Sequence, residues 1–239
     1  MQYEVITTGR LATNGDLEPR LLTPTDERHH NCKPVEGVGI NDMVGSHCYV
    51  DGKKIAHPCY VSWASLLKRS YSAAHKENNP QRYAEVADEW KKLSGYYDWW
   101  REQPYYPGGT LDSDLLSVAK GLPKAYTPET ATFVPHRINT LLIAHDRERG
   151  ELPQGVRRKR GSYQAQLQKG SEGRQHLGRT DDMAEALDLY WSAKLPYALT
   201  IAYELLEGHP QRDDLMIGIK ETLRQQHEES MRHLYDLTQ

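Results

Sequence analysis

Apolar residues recur at helical spacing in several stretches of the chain. In SWASLLKRSYSAAH, residues 62–75, Trp63, Leu66, Leu67 and Ser70/Tyr71 share one face, which predicts an amphipathic helix. From Ala84, AEVADEWKKLSGYYDWWREQ places Trp90, Leu93, Tyr97 and Trp100 on one line, which predicts one or two more helices with an aromatic stripe packed into a core. Beyond about Arg212 the pattern of Leu215, Ile219, Leu223, Met231 and Leu234 predicts one long C-terminal helix. Another helix is expected from Thr180 or Asp181, with acidic residues in its first turn, and Pro196 is expected to bend or end it.

Period-two patterns lie between these helices. TLDSDLLSV (110–118) alternates like a strand, TATFVP (130–135) is a second extended run, and HRINTLLIAHD (136–146) reads as a helix. GVRRK, SYQAQLQ and RQHLG (155–178) read as three short strands joined at Arg160-Gly161 and Gly170–Gly173. Their alternation puts Val156 and Arg158, Tyr163, Ala165 and Leu167, and Gln175 and Leu177 on one face. Three strands need a cover. Met183, Ala186, Leu187, Tyr190 and Ala193 of the following helix supply it. The first 60 residues are punctuated by Pro and Gly around short extended pieces such as YEVITT (3–8) and HCYV (47–50). The predicted class is α+β.

Charge changes this picture. The chain carries −3 overall, yet Gly155–Arg179 holds seven Lys or Arg and one Glu. An acidic chain with one compact basic sheet suggests a local anionic partner. On the expected outward face, Arg and Lys suit phosphates and guanine edges, and Gln suits adenine edges. No run is apolar and long enough to span a membrane, and no secretory start is visible, so a cytoplasmic setting with reduced cysteines is expected.

Asp112 and Asp114, two apart on the predicted strand, would share a face. With Asn139 on the next helix they offer hard oxygen ligands for Mg²⁺ or Mn²⁺. Cys32, His47, Cys48, His57 and Cys59, with His29 and His30, could hold Zn²⁺, but their irregular spacing and the lack of a CxxC pair argue against it.

Residues 152–197 resemble the plant APETALA/ethylene-response-factor DNA-binding domain, on Gly155-Val156-Arg157, Tyr163, Ala165, Leu177-Gly178, Glu185-Ala186, Tyr190 and Ala193. The resemblance implies a sheet in the major groove of double-stranded DNA. Contacts would fall on Gln154, Arg157, Lys159, Gln166, Gln168, Arg174 and His176. The plant domains have Trp or Arg at several of these positions, so a different or looser target is implied.

Residues 39–145 resemble phage HNH-like endonucleases, on GINDM (39–43), YVSWASLLKRSY (60–71), DEW (88–90), LDSDLL (111–116) and YTPETATFVPHRIN (126–139). That resemblance implies a ββα unit gripping one divalent metal. Asp112 and Asp114 stand in the first-strand region, Thr130 at the central Asn position and Asn139 at the terminal Asn. No His lies in TLDSDLL, so His136, His145 or an aspartate is left as general base. The implied layout is a variant nuclease region at 1–147, a DNA-binding module at 148–197 and a helical tail at 198–239, working in an infected bacterial cell. The expected activity is metal-dependent hydrolysis of DNA. The alternatives are a catalytically inactive DNA-binding protein directed at host defence or regulation, and a factor that meets a host protein. The tail could also join two copies of the chain.

Overall fold

The computed structural model describes residues 12–13, 23–24, 33–50, 53–78, 84–105, 108–143 and 152–238. YEVITT, Cys32, His29, His30 and His145 lie outside them. Helix and sheet are mixed, and the chain forms two compact units, one of residues 1–134 with 208–210 and one of residues 135–207 with 211–239. The division falls between Val134 and Pro135.

The first unit is built from short elements. They are β1 (Ala12–Thr13), β2 (Thr23–Pro24), β3 (Met43–Val44), β4 (His47–Val50), β5 (Lys53–Ala56), α1 (Pro58–Tyr71), α2 (Ala73–Asn78), β6 (Glu85–Val86), α3 (Leu93–Arg101), β7 (Pro104–Tyr105), β8 (Thr110–Asp112), α4 (Asp114–Lys120), β9 (Ala125–Tyr126) and β10 (Thr132–Val134). The strands pair two by two, β8 with β10 antiparallel and β6 with β9 parallel. The predicted helix starts earlier than its apolar stripe. Pro58 occupies its first turn, and His57 Nδ1 accepts from the Cys59 N–H at 3.1 Å. Trp63, Leu66 and Leu67 of the first predicted face and Trp90, Leu93, Tyr97 and Trp100 of the predicted aromatic stripe are all buried; Tyr96, which lies off that stripe, is fully buried too. The Trp63 indole N–H donates to the Trp90 carbonyl at 2.7 Å, so the one polar atom of that ring is satisfied inside the core. Asp42 accepts from both the N–H and the hydroxyl of Ser94, at 2.9 and 2.6 Å, and so caps α3 from a distant loop.

The second unit contains α5 (His136–Leu142), β11 (Val156–Lys159), β12 (Ser162–Gln168), β13 (Arg174–Thr180), α6 (Met183–Leu205) and α7 (Arg212–Thr238). The strands form one antiparallel sheet in the order β11-β12-β13. Helix α6 starts one residue later than expected, at the Asp182 cap, whose carboxylate accepts from the Ala184 N–H at 2.8 Å. It also runs through Pro196 rather than ending there. Pro196 is exposed, while Tyr190, Lys194, Ala198 and Ala202 hold one buried line past it. That continuous packing outweighs the hydrogen bond which Pro removes. Ala186, Leu187 and Tyr190 are buried under the sheet with Val156, Ala165 and Leu167; Met183 and Ala193 are half-buried at the margin.

The C-terminal carbonyls of α5 are met by side chains from within this unit. The Lys194 ammonium donates to the Leu141 carbonyl, and the Gln226 amide donates to Leu142 at 2.6 Å. Burial pushes the Lys194 pKa down to about 8 from 10.5. Between those values the unfolded chain holds a proton that the folded chain has released, so stability rises with pH there by about 1.4 kcal/mol per unit. Below the folded pKa both states are protonated and the contribution is flat. Urea denaturation should therefore show the wild type gaining on Lys194→Met as pH rises from 8 towards 10.5, and parallel profiles would contradict this.

Candidate nucleic-acid interface

The register of the sheet assigns each side chain to a face. Arg157 stands opposite Gln164, Lys159 opposite Ser162, Arg179 opposite Gln164, His176 opposite Gln166 and Arg174 opposite Gln168. Paired residues share a face, so all of these point away from α6. Val156, Ala165 and Gly178 form the opposite rank against the helix. The outward positions carry no acid.

One irregularity makes this face possible. Arg179 and His176 are three apart, so a regular strand would point them in opposite directions. The register shifts between Ala165 and Gln166, whose partners are Gly178 and His176, which leaves Leu177 as an extra residue. This β-bulge brings Arg174, His176 and Arg179 to the same side. Gly178 suits the place, because a Cβ there would lie 2.8 Å from Leu189 Cδ1.

Local bonds then hold the cationic groups. Arg157 donates through Nε and Nη2 to the Gln164 Oε1, at 3.1 and 2.9 Å. Gln164 is only 5% exposed, so it is a support for Arg157 rather than a surface reader. Arg179 donates to the Ser162 hydroxyl and to the carbonyls of Lys159 and Arg160, and thereby fastens the β11–β12 turn. Glu172, the acid of the basic block, lies 3.6 Å from the Arg137 guanidinium, which also donates to the Tyr197 hydroxyl at 3.0 Å. The exposed outward groups are Arg157, Lys159, Gln168, Arg174, His176 and Arg179, with Gln166 half-buried among them.

Two residues depart from the expected set. Gln154 is buried and precedes β11, with its amide 3.5 Å from the Ile143 carbonyl, so it stands off the sheet's outward face. Arg179 was not expected, because strict alternation puts it on the wrong side; only the bulge reverses that.

The carboxylates of the middle region are arranged differently from the expectation. TLDSDLLSV is not one strand, since β8 ends at Asp112 and α4 begins at Asp114. Asp112 accepts from the Leu115 N–H at 3.0 Å, a capping bond that stops the strand and starts the helix. Asp114 is exposed in the first turn of α4 and binds the Lys124 ammonium at 2.8 Å. Asp112 and Asp114 therefore do not share the face of a strand. Burial, and then the Asp114 charge, push the Asp112 pKa up to about 6, while its backbone bonds oppose the rise. Thr130, aligned with the central Asn, locks a turn by donating to the Ala125 carbonyl at 2.6 Å. Asn139 and His136 lie on α5, in the second unit, whereas the two aspartates belong to the first. Among the described residues no group of three His, Cys, Asp or Glu is placed to hold a metal. As placed, the Asp112 carboxylate serves a helix start and the Asp114 carboxylate a lysine.

No family model, curated protein or solved structure matches this chain. No helix among the described residues is long and apolar enough to cross a membrane.

Proposed function

We propose that the chain binds double-stranded DNA through the outward face of β11–β13. The observation that carries this reading is the convergence of Arg157, Lys159, Arg174 and Arg179 on a sheet face without acids, interleaved with amides and His176. A small sheet of this kind fits a major groove, where cations meet phosphates and guanine edges and the amides of Gln166 and Gln168 meet adenine. The Gln164 support reduces the freedom Arg157 would lose on binding.

The test is affinity for a duplex measured against salt. Neutralising about four phosphates should give a slope of roughly −4 in log K against log salt. A flat response would overturn the reading and favour a protein surface as partner. The competing proposal is metal-dependent DNA hydrolysis using Asp112, Asp114 and Asn139, with His136 or His145 as base; it requires the two aspartates to leave their present bonds. Supercoiled plasmid with Mg²⁺ or Mn²⁺ separates the two. Our reading expects bound, intact DNA, whereas cleavage abolished by Asp112→Asn would establish hydrolysis.

A further inference from the structure

The outward face of the sheet sorts its side chains by strand. The middle strand, β12, presents Ser162, Gln164, Gln166 and Gln168, none of them charged. The edge strands carry the cations, Arg157 and Lys159 on β11 and Arg174 and Arg179 on β13. Adjacent strands lie about 4.8 Å apart, so the two cationic edges are separated by about 10 Å. A B-form major groove is about 12 Å wide. A sheet laid in it sets the uncharged strand over the base edges and brings the charged edges to the phosphate walls.

His176 stands in one of these cationic rows, between Arg174 and Arg179 and opposite Gln166. It is exposed, and its ring has neither hydrogen bond nor ion pair to any described residue. Every other member of the two rows is Arg or Lys, so His176 alone among them gains and loses its charge near neutral pH. Among the described residues no acid faces it. Across from it β12 offers Gln166 and Gln168, and β11 beyond offers Arg157 and Lys159. Helix α6 packs on the other face, where Asp182 caps the helix and Glu185 accepts from the Thr180 hydroxyl. Asp181 follows the end of β13, roughly 16 Å from His176 along the extended chain. Glu172, before β13, lies against Arg137.

We propose that His176 is a titratable phosphate contact: duplex DNA favours the protonated ring, so binding takes up a proton and affinity rises as pH falls. This rests on the DNA-binding reading and gives that site its regulation. In the free chain a charged imidazole stands among arginines, which repel it. In the complex a phosphate stands beside it and attracts it. The complex therefore holds more protons than the separate molecules, and its association constant falls as pH rises through the histidine range.

Fluorescence anisotropy of a labelled mixed-sequence duplex of about 20 base pairs tests this, because phosphate contacts carry no sequence information. From about pH 8 down to about pH 5.5 the wild-type affinity should rise by roughly tenfold. The slope of log K against log salt should steepen by about 0.9 over the same range, as one more phosphate is neutralised. His176→Gln should bind as the wild type does at the higher pH and show neither change. His176→Arg should keep the tight binding of the lower pH throughout. The side chain is exposed, so both variants should fold, which the far-ultraviolet spectrum checks. Calorimetry at about pH 6.5 in buffers of different ionisation enthalpy should show proton uptake by the wild type that both variants lose. Binding that is steep in salt but flat in pH, or a pH dependence that persists in His176→Gln, would overturn the proposal and leave the DNA-binding reading standing. No duplex binding at any pH would overturn both.

Discussion

Replacing Arg157, Lys159 and Arg174 together by alanine is expected to weaken duplex binding by roughly a thousandfold near physiological salt. Each lost phosphate or base contact removes about 1–3 kcal/mol, and the three side chains occupy separate places on the sheet. The salt slope should flatten in the same variant, because fewer counterions are released. The three side chains are exposed, so the fold should survive. Arg157→Ala alone also strips a buried acceptor, Gln164, of both its donated bonds, and should cost about 1 kcal/mol of stability besides its effect on binding. Arg174→Ala has no such second effect expected and serves as the control for binding without destabilisation. Electrophoretic mobility shift and fluorescence anisotropy against salt check the result; wild-type affinity in the triple variant would remove the sheet from the interface.

The sheet was legible in the sequence because its alternation and its turn residues agree. Arg160 and Gly161 both take positive φ, at 50° and 84°, as a two-residue hairpin requires. The period of two then assigns Val156, Ala165 and Leu167 inward and Arg157, Lys159, Gln166 and Gln168 outward, and the structure has them so. The bulge at Leu177 was not legible, since nothing in RQHLGR marks which residue is extra, and Arg179 was lost with it. The middle region failed for a different reason. Asp-Ser-Asp followed by two leucines satisfies an alternating pattern and a helix start equally well. The capping bond from Asp112 to the Leu115 N–H decides in favour of the helix, and only the folded backbone reveals it. Pro196 shows a third case, in which burial along α6 overrides a local breaker. The first unit's core, by contrast, was plain from its aromatic spacing, because Trp and Tyr at helical intervals have few places to go except inward.

Gly155→Ala is expected to destabilise the sheet module by about 3–5 kcal/mol, the largest single-residue effect we anticipate on its fold. Two costs add. Gly155 has φ of 79°, a region that an L side chain enters at about 1 kcal/mol or more. A Cβ there would also fall 2.0 Å from the Tyr190 ring, where the chain entering β11 packs against α6. Tyr190 is 3% exposed and beside Trp191, so its ring has no free direction in which to withdraw. Gly161→Ala is the matched control. Its φ is 84°, nearly the same, but nothing lies within 4 Å of the added Cβ, so it should show the backbone cost alone, about 1 kcal/mol. Thermal and urea unfolding of both variants separates strain from collision. Equal losses in the two would mean that Tyr190 does not pack against Gly155. A clearly larger loss in Gly155→Ala than in Gly161→Ala, with DNA binding falling in step with the folded fraction, would show that this contact holds the cationic face in place.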